Sequence, residues 1–219
     1  MKNNIYVGLA LSFILTACST VNEIQSQDEK EYQEFASELR KRTGLPDPEA
    51  WKRIYKESGL QEFIYAQGDY ASNQRKLTDL DAFYNSVILT KYSGSEYQER
   101  LSVKFIAYVI SAYDLTQMKD AESTAYLVKY TRELSQNSGA LDLNLSYKCL
   151  SSVRGLVDKN EYNAMVKKAK FQVRFFIELF EKSLAEGKEK VPQEVIEGFK
   201  LQTEEYKGHL AKFEALVIK

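Results

Sequence analysis

The chain has 219 residues and nearly balanced charge, with 30 lysines and arginines against 31 aspartates and glutamates. Hydrophobic residues make up 44% and charged residues 28%, a composition typical of a globular protein and not of a disordered one. The formal net charge of −1 gives no excess of either sign. Composition therefore argues against a nucleic-acid-binding surface and against a surface for anionic lipid.

The N-terminus has the composition of a secretory signal. Lys2 is followed by a largely apolar stretch, Ile5 to Leu15. This stretch is too short to cross a bilayer, because a transmembrane helix needs about 20 apolar residues. A basic start and a short apolar core are instead typical of a signal peptide. The segment ends in Leu15-Thr16-Ala17-Cys18, and this ending resembles the lipobox of bacterial lipoprotein signals.

The lipobox resemblance implies a lipid anchor. In that family the cysteine thiol receives a diacylglyceryl group, the preceding peptide is removed, and the new N-terminus is usually acylated. Carried over, residues 1–17 form the signal peptide and Cys18 is the lipid attachment site. Two or three acyl chains hold a protein firmly on a membrane, whereas one binds only marginally. An ordinary signal peptide with a chance cysteine is the alternative.

The residue after the cysteine bears on the membrane to which the anchor belongs. In Gram-negative lipoproteins an aspartate at this place favours retention in the inner membrane, but here the residue is Ser19. We therefore expect an anchor in the outer membrane with the body on the periplasmic side, and the inner membrane stays the alternative. Residues 18–28 are polar and are interpreted as the lipidated N-terminus and a flexible stalk.

Residues 29–219 are predicted to form one all-α periplasmic domain. No alternating apolar run with hairpin turn signals occurs, and the apolar spacing predicts about seven or eight helices. The prolines Pro46, Pro48 and Pro192 lie at expected helix boundaries, with Pro48 in the first turn of a helix and Pro192 at the start of the last one. Residues 60–66 are predicted either to continue the second helix or to form a short strand.

The remaining helices follow from their apolar faces and breaks. Helices are predicted over about 28–42, 70–92, 96–113, 120–136, 141–157 and 161–185, and from 192 onward. Ser95 is predicted to cap the helix that starts near residue 96. The segment 161–185 is the richest in apolar residues, so we expect it to be central in the fold.

Three similar junctions suggest stacked helical hairpins. Gly68-Asp69-Tyr70, Lys119-Asp120-Ala121 and Lys159-Asn160-Glu161-Tyr162 each combine a polar turn with an acidic or amide capping residue. Their starts are 51 and 40 residues apart, whereas tetratricopeptide repeats would recur at about 34. The sequence leaves open an irregular bundle or a repeat-like superhelix.

Few residues are suited to metal or cofactor chemistry. His209 is the single histidine, and once Cys18 is lipidated Cys149 is the single thiol. His209 falls on the apolar face of the last helix, so we expect a core or boundary residue with satisfied hydrogen bonds, and not a ligand or base. Cys149 lies in a helical segment and is expected to be buried and unreactive. We predict no bound metal and no cofactor.

One short segment resembles a catalytic region. Tyr55-Lys56-Glu57-Ser58-Gly59-Leu60-Gln61 is similar to the region around the acid of lytic transglycosylases, which are helical and often lipid-anchored. The resemblance implies Glu57 as a general acid in an apolar cleft, acting on peptidoglycan. The family's downstream Gly-Leu-Met-Gln stretch is absent, however, since Gly59-Leu60-Gln61 follows at once without the methionine.

Tyrosine is abundant, with 15 residues against 11 phenylalanines. Tyrosine rings suit protein-binding grooves, but they also suit the boundary of amphipathic helices, with the ring inside and the hydroxyl wet. The tyrosines of the middle hairpins, for which both interpretations stay open, are Tyr84, Tyr92, Tyr97, Tyr108, Tyr113, Tyr126, Tyr130 and Tyr147.

The sequence thus favours a non-catalytic lipoprotein that acts as a binding or scaffolding subunit for an envelope protein. Two alternatives remain. The first is a peptidoglycan-cleaving enzyme with Glu57 as its acid. The second is a surface immunity or exclusion protein that binds an incoming macromolecule.

Overall fold

The computed structural model describes residues 27–41, 48–65, 76–95, 97–136, 142–187 and 192–219. The chain divides into two units, Met1–Lys41 and Arg42–Lys219. The predicted signal peptide, Cys18 and the junction Gly68-Asp69-Tyr70 lie outside the described residues.

The described part of the first unit is a single helix, α1, over residues 27–41. Residues 27 and 28, at the end of the predicted stalk, form its first positions. Pairs three or four residues apart line its polar surface, such as Lys41 with Glu38 at 2.7 Å and Gln33 with Glu29 at 2.7 Å. This confirms the predicted charged helix.

The second unit is built from helices throughout its described residues. They are α2 (Pro48–Glu57), α3 (Leu60–Tyr65), α4 (Leu77–Phe83), a π-helix that continues α4 (Tyr84–Lys91), α5 (Gln98–Ala112), α6 (Ala121–Gln136), α7 (Leu143–Val153), α8 (Lys159–Gly187) and α9 (Gln193–Leu216). No strand occurs in the described ranges, so the all-α prediction is confirmed and the strand alternative for residues 60–66 is wrong over 60–65.

Consecutive helices of the second unit pack against each other. From α5 onward each helix contacts the next, and α6 also contacts α8 while α7 contacts α9. Contacts between next and next-but-one helices are what stacked hairpins produce. The helix lengths are unequal, with 11 residues in α7 and 29 in α8, so no unit of constant length is repeated.

Helix α5 occupies the interior of this stack. Its predicted core face is confirmed, because Leu101, Phe105, Ile106, Val109 and Ile110 are all buried. These side chains are contacted from both sides, by the π-helix and by α6. None of the helices in the described ranges is both long and apolar enough to cross a membrane.

The core positions of helix α8 extend from Tyr162 to Ile177, within about the first two thirds of its length. There Tyr162, Val166 and Val173 are buried, and the helix packs against α6, α7 and α9. Further along, Leu179 is exposed, and the ring of Phe180 packs on the ring of Tyr206 of α9 at 5.3 Å. The apolar composition of 161–185 therefore reflects two different environments, a core position followed by a helix pair.

Aspartates cap three of the later helices. Asp120 accepts a hydrogen bond from the backbone N–H of Ser123 at 2.8 Å, as the sequence predicts, and this bond lowers the pKa of the Asp120 carboxyl. Asp142 caps α7. At the third junction the cap is Asp158 and not Asn160, since Asp158 accepts from the backbone N–H of Glu161 at 3.0 Å.

The predicted cap at Ser95 is wrong. Tyr97 occupies the N-cap position of α5, and no side chain caps that helix. The hydroxyl of Ser95 instead donates to the backbone carbonyl of Tyr92 at 2.7 Å, at the end of the π-helix. Ser95 therefore satisfies the end of the preceding helix and not the start of the next one.

Replacing either of two glycines by alanine is expected to change the free energy of unfolding, in opposite directions. Gly155 has φ +84°, whereas Gly208 lies inside α9, and an added Cβ meets nothing within 4 Å at either position. Gly155→Ala should lower the free energy of unfolding by about 1 kcal/mol because left-handed backbone disfavours a Cβ, and Gly208→Ala should raise it by about 0.5–1 kcal/mol through helix propensity.

Urea unfolding followed by circular dichroism measures both changes. Shifts of the same sign in the two variants would contradict this account of the backbone at residue 155.

Candidate functional site

The sequence-predicted catalytic candidate, Glu57, is exposed at the last residue of α2. Its neighbour Ser58 serves the turn to α3, since the Ser58 hydroxyl donates to the carbonyl of Tyr55 at 2.8 Å and accepts from the N–H of Leu60 at 3.2 Å. Gly59 completes the turn with φ +71°. The transglycosylase resemblance implies an acid in an apolar cleft, and the exposed position of Glu57 gives that interpretation no support.

Cys149 is buried as predicted, with no exposed surface. Burial raises the pKa of its thiol to about 12, which keeps the sulfur protonated and weakly nucleophilic at neutral pH. The thiol borders a small cavity of about 10 Å³ between α6, α7 and α8, which is lined by polar side chains such as Thr131 and Gln172 and by apolar ones such as Leu134 and Leu150. That volume is about enough for one water molecule.

His209 is also buried as predicted, with 5% of its surface exposed. Contrary to the expected satisfied hydrogen bonds, its Nδ1 has no hydrogen-bond partner among the described residues. In the same part of the chain, no three histidine, cysteine or carboxylate side chains are grouped so that they could hold a metal ion.

The tyrosines of the middle hairpins fall into two sets. Four are buried (Tyr84, Tyr92, Tyr108 and Tyr130) and four are partly exposed (Tyr97, Tyr113, Tyr126 and Tyr147). The boundary interpretation fits the partly exposed set, and the buried set belongs to the core. The small cavity between α6, α7 and α8 is lined by neither set.

Two buried tyrosines belong to a polar group that we call the Asp81 cluster, formed by Asp81, Tyr84, Ser102, Lys129, Tyr130 and Glu133. The Tyr84 hydroxyl lies 3.2 Å from Oγ of Ser102 and 3.4 Å from Oε2 of Glu133. Asp81 forms an ion pair with Lys129, and the Tyr130 hydroxyl donates to Asp81 at 3.4 Å. The cluster joins α4, the start of the π-helix, α5 and α6.

The electrostatics of the Asp81 cluster keep both phenols neutral. Burial raises the pKa of Tyr84 and of Tyr130, the carboxylate of Asp81 raises both further, and that of Glu133 also raises the pKa of Tyr84. Lys129 Nζ lies 5.9 Å from the centre of the Tyr84 ring but is paired with Asp81, so it does not offset these effects. A tyrosine that acts as a base or nucleophile needs a lowered pKa. The cluster is therefore suited to holding helices together.

The π-helix that continues α4 begins within the Asp81 cluster, at Tyr84. Its wider turn is recorded by the bond from the N–H of Tyr92 to the carbonyl of Val87, five residues back, at 3.3 Å. In this segment Tyr84, Ile88 and Tyr92, which are spaced by four, are all buried. π-helices are uncommon and are often found at functional sites.

A second aromatic group lies at the surface and is here named the Trp51 patch, formed by Trp51, Tyr55, Tyr97 and Arg100. The ring of Trp51 stacks on that of Tyr55 at 5.5 Å and on that of Tyr97 at 6.4 Å. The guanidinium carbon of Arg100 lies 5.9 Å from the Trp51 ring centre. All four side chains are partly exposed. Helix α2 supplies two of them, and the start of α5 supplies the other two.

Tryptophan, tyrosine and arginine are the residue types most enriched among energetically important interface residues. In the Trp51 patch these side chains hold one another by stacking and by a cation–π contact, so little conformational entropy remains to be lost on binding. The patch is therefore a rigid, amphipathic surface suited to contact with another protein. Sequence reasoning found Tyr97 but missed the group, since 42 to 49 residues separate Trp51 and Tyr55 from Tyr97 and Arg100.

No protein-family model, curated protein or solved structure matches the chain. The candidate site therefore stands on its geometry alone.

Two tyrosines predict opposite effects of removing a hydroxyl. Tyr84→Phe should lower the free energy of unfolding by about 1–2 kcal/mol, because Ser102 and Glu133 lose a buried partner. Tyr162→Phe should leave stability unchanged or raise it by up to about 1 kcal/mol, because the Tyr162 hydroxyl is buried without a partner among the described residues.

Chemical unfolding of both variants beside the unaltered chain is the measurement. Equal losses for Tyr84→Phe and Tyr162→Phe would contradict a specific contribution of the Tyr84 hydrogen bonds to stability.

Proposed function

We propose that the protein is a lipid-anchored, non-catalytic binding or scaffolding subunit, held on the periplasmic side of the outer membrane, that engages an envelope protein through the Trp51 patch. The resemblance of Leu15-Thr16-Ala17-Cys18 to a lipobox supports the anchor. The partly exposed stack of Trp51 between two tyrosines, with Arg100 beside it, is the observation that supports binding.

Anchoring and binding reinforce each other. A protein tethered to a membrane stays within reach of its neighbours in that membrane, so its effective concentration toward them rises without any new contact. A moderate surface such as the Trp51 patch is then sufficient, since the tether removes part of the entropic cost of association. Near-neutral net charge leaves aromatic stacking and Arg100 as the main sources of selectivity.

The lipid anchor is tested by replacing the sulfur atom of Cys18 by oxygen. In cells fed labelled palmitate, the unaltered protein should incorporate label and sediment with membranes, whereas Cys18→Ser should do neither because a hydroxyl replaces the acylated thiol. The matched control is Cys149→Ala, which removes the other cysteine of the chain and should keep the label. Label that persists in Cys18→Ser, or that is missing from the unaltered protein, contradicts the anchor.

The binding surface is tested by position-specific photo-crosslinking in cells. A photoreactive phenylalanine in place of Tyr97 should give a discrete adduct with an envelope protein. The same group in place of Lys200, an exposed residue of α9, should give none. Adding Arg100→Glu should reduce the adduct more than about tenfold, since an interface arginine of this kind contributes about 2 kcal/mol or more.

Adducts of equal yield from positions 97 and 200 would mean that the Trp51 patch has no special affinity. A strong adduct from position 97 that is insensitive to Arg100→Glu would remove Arg100 from the proposed surface.

A further inference from the structure

The only histidine of the chain lies in its last helix. Histidine is the side chain whose ordinary pKa places its charge change between pH 5 and 8, while aspartate and glutamate ordinarily titrate below that range. One buried imidazole therefore accounts for the side-chain proton uptake expected as a neutral environment becomes mildly acidic.

The surroundings of His209 suit a neutral ring and not a charged one. The side chain is 5% exposed, and Nδ1 is buried without a hydrogen-bond partner among the described residues. A neutral imidazole can leave one nitrogen unprotonated, so an unpartnered Nδ1 is tolerated. Protonation would place an N–H and a positive charge at this site, and the described residues offer Nδ1 no hydrogen-bond acceptor.

The charged groups near the ring do not provide that compensation. On α9 itself Glu205 favours the charged form, but Lys212 opposes it more strongly. On α8, Lys170 lies 4.0 Å from Glu214 and Glu181 lies 3.0 Å from Lys207. Between these two positions of α8, Arg174 and Glu178 pair with each other at 3.0 Å. On α7 the titratable neighbour of α9 is Tyr147, whose ring packs on Phe213 at 6.0 Å.

Within the second unit, α8 and α7 are the helices that pack most closely on α9. Helix α9 is followed by just three described residues, 217–219. One turn after His209, Phe213 is fully buried, and Ile196 and Leu216 near the two ends are buried as well. Lifting α9 would uncover this apolar face together with the rings of Tyr147 on α7 and of Phe180 on α8.

We propose that His209 is an acid-sensitive latch, which holds the C-terminal helix α9 on α7 and α8 while its imidazole is neutral and releases the helix when the imidazole is protonated. The released state exposes an apolar surface that is covered at neutral pH. The latch is independent of the Trp51 patch and of the lipid anchor.

The direction of the pH effect follows from the ordinary pKa of the ring. Burial, followed by the charge of Lys212, lowers the pKa of His209 below its ordinary value of 6.5 while α9 is docked. The docked form thus binds fewer protons than the released form. Its stabilisation is fully present above about pH 6.5 and is lost as the pH falls from there towards the lowered pKa.

Hydrogen exchange of the full-length protein, followed by mass spectrometry at pH 7.5 and 5.5 and corrected for intrinsic rates, tests the latch. In the unaltered chain, protection of residues 196–213 should fall several-fold at pH 5.5 while protection of α5 is unchanged. His209→Gln, which cannot be protonated, should show no such change in α9.

Two exposed neighbours provide tests that do not alter the buried ring. Glu205→Gln removes the carboxylate that favours the charged ring in the docked state, so its acid-induced opening should be larger than in the unaltered chain. Lys212→Gln removes the opposing cation, so its opening should be smaller. The single histidine C2–H resonance reports the titration directly by NMR.

Two results would overturn the proposal. The first is equal loss of protection in α9 and α5, which indicates global acid unfolding. The second is an acid response of α9 that is the same in His209→Gln, or in both neighbour variants, as in the unaltered chain.

Discussion

The ring of Phe105 is the contact on which the arrangement of the early helices depends. It packs against Phe63 of α3 at 6.1 Å, Phe83 of α4 at 6.0 Å, Tyr84 at 5.0 Å and Tyr130 of α6 at 5.9 Å. Aromatic side chains bury 150–250 Å² each and prefer offset or edge-to-face geometry, so one such centre fixes the angles of several helices at once. With this centre in place, α5 has to run through the interior.

Two of the rings that pack on Phe105 belong to tyrosines, so their hydroxyl groups also have to be accommodated. A buried hydroxyl needs a partner, and the two that surround Phe105 obtain one from Ser102, Glu133 and Asp81. The Asp81 cluster is therefore a consequence of the aromatic core, and its ion pair with Lys129 is what allows a carboxylate to lie there partly buried. The π-helix belongs to the same solution, since Tyr84 is its first residue and must reach both the ring of Phe105 and the hydroxyl of Ser102.

The sequence predicted the elements of the fold better than the links between them. Apolar periodicity within one helix is local, so the core face of α5 and the buried positions of Cys149 and His209 were predicted correctly. The Asp81–Lys129 pair spans 48 residues, and the Trp51 patch joins residues more than 40 apart, so neither has a local signal. The π-helix was missed because apolar residues spaced by four are compatible with an α-helix. Ser95 was assigned as a cap by residue type, but a hydroxyl at a junction can satisfy either of the helices it separates.

Four buried titratable groups of the second unit have pKa values that are shifted in favour of the uncharged form. The phenols of Tyr84 and Tyr130 have raised pKa values, the Cys149 thiol has a pKa raised to about 12, and His209 has a lowered one. In all four, burial is the first cause, and its effect is to favour the uncharged form. Catalytic groups are shifted towards the working pH, whereas the phenols and the thiol are shifted away from it. Of these four groups, only the imidazole has an ordinary pKa close to neutral. It lies in a helix whose docking a positive charge would oppose, which is the basis of the latch that we propose for α9.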